Sequence, residues 1–178
     1  PPNMRLLASL RMPAFLLTFV RAPAERCLSH YYHEQVSRAE RVPTTASKLH
    51  ALASCSNYVY DYIAPNRDEL PATLVRTTFS FVGVVELFDL SLVLLASTLG
   101  VPLRSVLYLA SKNSSAGMSD GNGQVLFGNP GLTHEPQEVR EYANGAAFHR
   151  SNPLDLALHE EAVKRLNERA FEMGADFG

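Results

Sequence analysis

Short apolar runs alternate with longer stretches of helical spacing along this chain, and that alternation sets the first reading of its fold. Ala14-Phe15-Leu16-Leu17-Thr18-Phe19-Val20 is a continuous β-favouring run of the kind found in strands covered on both faces, so Phe15 to Val20 reads as a strand. Pro23 suits the first position of a helix and Glu25 favours its first turn, which predicts a helix from about Pro23 to about Arg38. Thr44 or Thr45 caps a second helical stretch that runs towards Tyr62 and ends before Pro65, and Glu69 to Thr77 adds a further turn or two. Phe79 to Val85 is a second buried strand, followed by a helix over Asp89 to Leu99 that Gly100 and Pro102 terminate. Ser105 to Leu109 makes a third strand. The stretch Ser111 to Pro136 is rich in Ser, Gly and Asn and reads as a flexible loop. Asn152, Pro153 and Asp155 open a final helix, on which Leu154, Leu158, Ala162, Leu166 and Ala170 share one face that reads as core contact.

Strands that alternate with helices predict an α/β fold, a parallel sheet flanked by helices, with residues 1–178 forming one domain. Ligands of such sheets bind at the carboxyl ends of strands, so the residues just after each strand matter most. Composition agrees with a folded domain: 46% of the 178 residues are hydrophobic and 19% charged, which gives enough apolar surface for a core. The formal net charge of −2 argues against general nucleic-acid binding. The charge is uneven, however. Arg5, Arg11, Arg21, Arg26, Arg38, Arg41 and Lys48 face only Glu25, Glu34 and Glu40 in the first fifty residues, a local +4 that suits a small anionic ligand.

The uncharged stretch Leu90 to Leu103 is shorter than the roughly 18 to 20 residues that span a bilayer, and it contains Pro102. No membrane segment is expected. Arg5 and Arg11, the apolar Met12 to Val20 and Ala22-Pro23-Ala24 imitate a signal peptide, but they are read here as a strand that leads into a helix. A start at Pro-Pro, without Met, leads us to expect a piece of a longer protein. Cys27 and Cys55 allow one disulfide in an oxidising lumen or two small buried hydrophobes; spacing does not choose between them, and the second is the reading adopted.

The segment richest in chemistry is Arg21-Ala22-Pro23-Ala24-Glu25-Arg26-Cys27-Leu28-Ser29-His30-Tyr31, where a buried strand delivers an arginine to the ligand edge and a helix starts at once. A phosphate there would meet a planar guanidinium able to make two hydrogen bonds and a helix N-terminus with free amides. Ser29 offers a hydroxyl farther along the helix, and Arg26 adds charge or pairs with solvent.

Arg21-x-Pro-x-x-Arg26-x-x-Ser29-x-Tyr31 resembles the 3′-phosphate-binding segment of sulfotransferases that use the sulfate donor PAPS, with the nearest likeness to the Golgi carbohydrate group of heparan sulfate 2-O- and galactose 3-O-sulfotransferases. Phe81-Val82-Gly83-Val84-Val85-Glu86-Leu87-Phe88-Asp89-Leu90-Ser91 is similar to the family's Val-Gly-x-x-Glu block ahead of a helix. Tyr108-Leu109-Ala110-Ser111-Lys112-Asn113-Ser114-Ser115 resembles the later loop that closes over the nucleotide. The resemblance implies a P-loop sulfotransferase-like fold, PAPS as donor and PAP as product, a glycan hydroxyl as acceptor, no metal, and a Golgi-lumenal enzyme anchored in the membrane. It implies that Arg21 and Ser29 hold the 3′-phosphate and that Lys112 and Ser114 close on the nucleotide. The family's Gly-rich phosphosulfate loop and its catalytic base precede the Arg21 segment and have no counterpart here, so the sheet is expected to be incomplete at the N-terminus and the chain alone inactive. A non-catalytic sulfotransferase-like module for nucleotide or protein interaction is the alternative, and a kinase-like nucleotide transferase ranks behind it.

Residue by residue, plainer roles compete with these. Gly83 allows a neighbouring helix to approach the strand, while Glu86 and Asp89 charge the start of the next helix, and this architectural role is the one adopted for both acids. His30 and His33, three apart near Glu34, have no third metal ligand at suitable spacing. Asp120-Gly121-Asn122-Gly123 reads as a turn rather than a calcium loop.

Overall fold

The structure is a computed structural model and describes residues 15–64, 68–106, 118–119, 125–126 and 131–175. In chain order its elements are β1 (Leu17–Val20), α1 (Pro23–Tyr31), α2 (Thr45–Ala53), α3 (Tyr58–Ile63), α4 (Pro71–Thr73), β2 (Phe81–Val84), α5 (Phe88–Leu99), β3 (Met118–Ser119), β4 (Val125–Leu126), α6 (Gln137–Ala143), α7 (Ala146–Ser151) and α8 (Pro153–Ala175). Two π-helical segments, Tyr32–Arg38 and Leu74–Thr78, continue α1 and α4. The chain divides into two compact units, one within Pro1–Ala22, Asn57–Tyr108 and Leu154–Gly178, the other within Pro23–Ser56 and Leu109–Pro153.

The first unit is built on β1 and β2, which pair in parallel with Leu17 opposite Phe81 and Val20 opposite Val84. All four β2 residues are buried, as an apolar run without alternation requires when both faces are covered. Phe19 lies opposite Gly83, and a Cβ on Gly83 would come within 2.4 Å of the Phe19 ring. The glycine therefore accommodates an aromatic ring from the adjacent strand rather than an approaching helix. Beyond β2, Ser91 of α5 is buried and its hydroxyl bonds both the N–H and the C=O of Val84, which secures the strand's end against the helix. Gly100 stops α5 in the left-handed conformation at φ 64°, where an L side chain would be strained.

Along α8, Leu158, Ala162 and Leu166 enter the same core as Val20, Phe81, Val84 and Leu94, with Leu154 and Ala170 packed beside them, so the apolar face read from the sequence is the buried face. Two polar side chains seat this helix and α3 against each other. Asn57 Oδ1 accepts the N–H groups of Leu154 and Asp155, and the Asp155 carboxylate accepts those of Val59 and Tyr60. Each helix thus receives its N-terminal cap from the other, which satisfies donors that a helix leaves open.

The predicted third strand is not found where it should begin. Leu103–Ser105 form a 3₁₀ turn in which Ser105 N–H bonds Pro102 O and Val106 N–H bonds Leu103 O, so the backbone closes locally instead of pairing sideways. The remainder of that strand, to Leu109, lies outside the described residues, as does most of the loop Ser111 to Pro136, whose described parts are the short antiparallel pair β3–β4 and a 3₁₀ turn at Leu132–His134. Among the described residues the parallel sheet has two strands and the fold is mostly helical.

The second unit packs α1, α2, α6 and α7 around Leu28, Leu52, Val139 and Phe148. Thr44 is the N-cap of α2: its hydroxyl accepts Ser47 N–H while Ser47 Oγ accepts Thr44 N–H, a reciprocal capping box. The helix expected to continue to Tyr62 ends at Ala53, and α3 restarts after Asn57, which takes a left-handed φ of 43°. Cys27 and Cys55 form a disulfide, which corrects the reading of two unpaired buried thiols. Helices α6 and α7 fill a stretch for which the sequence reading assigned nothing.

A buried ionic network holds this unit at one point. Lys48 Nζ lies 2.6 Å from Glu135 Oε2, Tyr32 donates its hydroxyl to Glu135 Oε1 at 2.8 Å, and the ammonium sits 5.5 Å from the Tyr32 ring centroid. Burial, followed by the hydrogen bond to Glu135, pushes the Tyr32 phenol well above its usual range, so it acts as a donor and not as a base. Such a pair stabilises only while complete: removal of one partner strands the other charge, at a cost of about 3–5 kcal/mol.

Candidate functional site

Parallel pairing of β1 with β2 brings the ends of both strands to one edge of the sheet, and the residues that follow them carry charge. Arg21 comes directly after Val20. Glu86 sits two residues beyond Val84, in a 3₁₀ turn, Val85–Leu87, that separates β2 from α5. Glu86 Oε1 accepts the backbone N–H of Ala22 at 2.9 Å and lies 4.0 Å from Arg21 Nε. Its other oxygen, Oε2, meets Nε2 of His159 on α8 at 3.2 Å. Segments 64 and 73 residues apart in sequence thus converge on one carboxylate.

Burial works against the charge of Glu86, but hydrogen bonds from His159 and from the Ala22 N–H outweigh it and hold the carboxyl below the usual carboxylate range. The group stays an ionised acceptor near neutrality. Arg21 and Glu86 are both reachable by solvent, with side-chain exposures of 26% and 37%. The cluster therefore offers a guanidinium, a fixed carboxylate and an imidazole at the carboxyl end of parallel strands, which is where open α/β sheets place their ligands.

The architectural role read for Glu86 holds in part: it stands in the acidic turn before α5, with Asp89 in that helix's first turn. Its carboxylate bonds its own backbone N–H in that turn and also serves the end of the neighbouring strand. His159 was not singled out in the sequence, where it is one charged-face residue of a long helix; only the pairing of strands and the rotation of α8 bring it to Glu86.

Arg21 belongs to the first unit, while Ser29 and Arg26 are half-buried on α1 in the second, in a helix that starts at Pro23 as expected. Glu25 is in that helix's first turn, and its carboxylate accepts the N–H of Leu132 at 2.7 Å. Lys112 and Ser114 lie outside the described residues. His30 is exposed and His33 Nε2 lies 3.6 Å from Glu34. Among the described residues no three His, Cys, Asp or Glu side chains gather in an arrangement that could hold a metal, and no helix is long and apolar enough to cross a membrane. No protein family, no curated protein and no solved structure matches this chain.

Proposed function

We propose that this chain serves a PAPS-dependent sulfotransferase, gripping the 3′-phosphate of the donor while a sulfuryl group passes to a hydroxyl, that of a glycan by resemblance. The observation that carries the reading is the side-by-side delivery of Arg21 and Glu86 by two parallel strands. These residues come from the two sequence blocks that resemble the family, and the sheet edge they share is the edge used for ligands. Arg21 suits the anchor because a guanidinium meets phosphate through two parallel hydrogen bonds. Ser29 is assigned its phosphate contact by the resemblance, as are Lys112 and Ser114 their closure over the nucleotide.

In such a reaction the acceptor hydroxyl attacks the sulfur in line and PAP leaves, so positioning and charge stabilisation do most of the work. A phosphate anchor remote from the reacting sulfur contributes binding energy that fixes the donor's geometry. The disulfide Cys27–Cys55 supports the compartment the resemblance implies, since such bonds persist in oxidising lumens. Compared by calorimetry, PAP should bind at least about tenfold more tightly than ADP, which lacks the 3′-phosphate. Equal affinity, or a preference for ADP or ATP, would move the assignment to a different nucleotide-binding class.

A further inference from the structure

We propose that Arg21 and Glu86 form one two-part site that reads a phosphate together with the hydroxyl next to it, as on a ribose that carries a 3′-phosphate and a free 2′-hydroxyl. The proposal rests on Arg21 as the phosphate anchor and deepens it by naming what must stand beside the phosphate.

Three observations in the first unit support it. Arg21 Nε and Glu86 Oε1 are 4.0 Å apart, so the site sets a cationic donor next to an anionic acceptor. A phosphate and a hydroxyl on adjacent ring carbons present the complementary pair, an acceptor next to a donor, at similarly short spacing. The carboxylate also has room in its valence. Oε1 takes the Ala22 N–H and lies 4.0 Å from Arg21 Nε, Oε2 faces His159, and the carboxylate also accepts its own backbone N–H, whereas its two oxygens together offer about four lone-pair sites. Finally, the carboxylate is fixed before any ligand arrives, by a backbone amide on one side and an α8 imidazole on the other, while more than a third of the side chain stays open to solvent. His159 is on this account a positioning residue.

The charge of Glu86 makes the site selective rather than merely sticky. A carboxylate this close to the anchor repels a bare anion, and only a ligand that brings a hydroxyl to it recovers the loss through a charge-assisted hydrogen bond. Removal of the carboxylate should therefore weaken discrimination while it strengthens the binding of inorganic phosphate.

Calorimetry with PAP and its 2′-deoxy analogue tests this without any substitution: the wild type should prefer PAP by about tenfold, the worth of one hydrogen bond to a charged group. In Glu86→Ala the two ligands should bind alike. In Glu86→Gln, which keeps an acceptor oxygen and spares the fold if Ala does not, the preference should shrink and inorganic phosphate should bind more tightly than to wild type. A wild type that binds both ligands equally overturns the two-part site but leaves the phosphate anchor standing. The same holds for a preference that survives in both Glu86 variants, since the hydroxyl is then read elsewhere. If the wild type binds neither ligand, the anchor falls and this proposal falls with it.

Discussion

Glu86 shows how a single side chain takes its role from partners that are far away in sequence. Its carboxyl is held below the ordinary value of 4.5 because the bonds from His159 and Ala22 N–H favour the charged form by more than burial disfavours it. A carboxyl depressed in the folded state contributes stability that is fully present above its unfolded value and is lost as the pH falls through the folded one. Melting curves between pH 7 and pH 3 should therefore show the wild type ahead of Glu86→Gln at neutral pH, with the gap closing below about pH 4.5. A gap that is constant throughout this range would mean that the ionised carboxylate does not hold these contacts. The residue was visible in the sequence as an acid in the turn after a strand, but its partners were not: Ala22 contributes a backbone group, and His159 has no local pattern that marks it.

At the scale of elements, legibility followed how much of each element's cause is local. Strands β1 and β2, helix α5 and helix α8 were readable because uninterrupted apolar runs, a terminating glycine and a 3.6-residue stripe are written in neighbouring residues. The break between α2 and α3 was not. It depends on Asn57, whose side chain caps α8 across a separation of 97 residues, and on Cys55, which is tied to α1. Helices α6 and α7 are short, with their buried contacts reduced to Val139, Ala143 and Phe148, too few positions to declare a period. The disulfide itself escaped because two cysteines carry no pairing information beyond their count. It closes a separation of 28 residues, which in the chain-entropy view stabilises the second unit by about 3.5 kcal/mol. Denaturant titration of Cys27→Ala/Cys55→Ala should show a loss of about 2–4 kcal/mol; no change in midpoint would mean that the pair contributes nothing to the folded unit.

At the scale of the whole molecule, the α/β reading survives among the described residues in reduced form, as a two-stranded parallel sheet with mostly helical surroundings. The hydrophobic pattern announced these two strands and their orientation; at the start of the third, Pro102 and the turn after it close the backbone locally as far as Val106, and Leu107 to Leu109 lie outside the described residues. The candidate site was legible as two motifs and became a site only when parallel pairing joined them. Its central claim is that Arg21 anchors a 3′-phosphate, and titration of PAP into wild type, Arg21→Ala and Ser29→Ala by calorimetry tests it most directly. Loss of the guanidinium should weaken binding by about tenfold to a hundredfold, corresponding to roughly 1.5–3 kcal/mol, and loss of the single hydroxyl by less. Affinity for PAP that is unchanged in both variants would contradict the account.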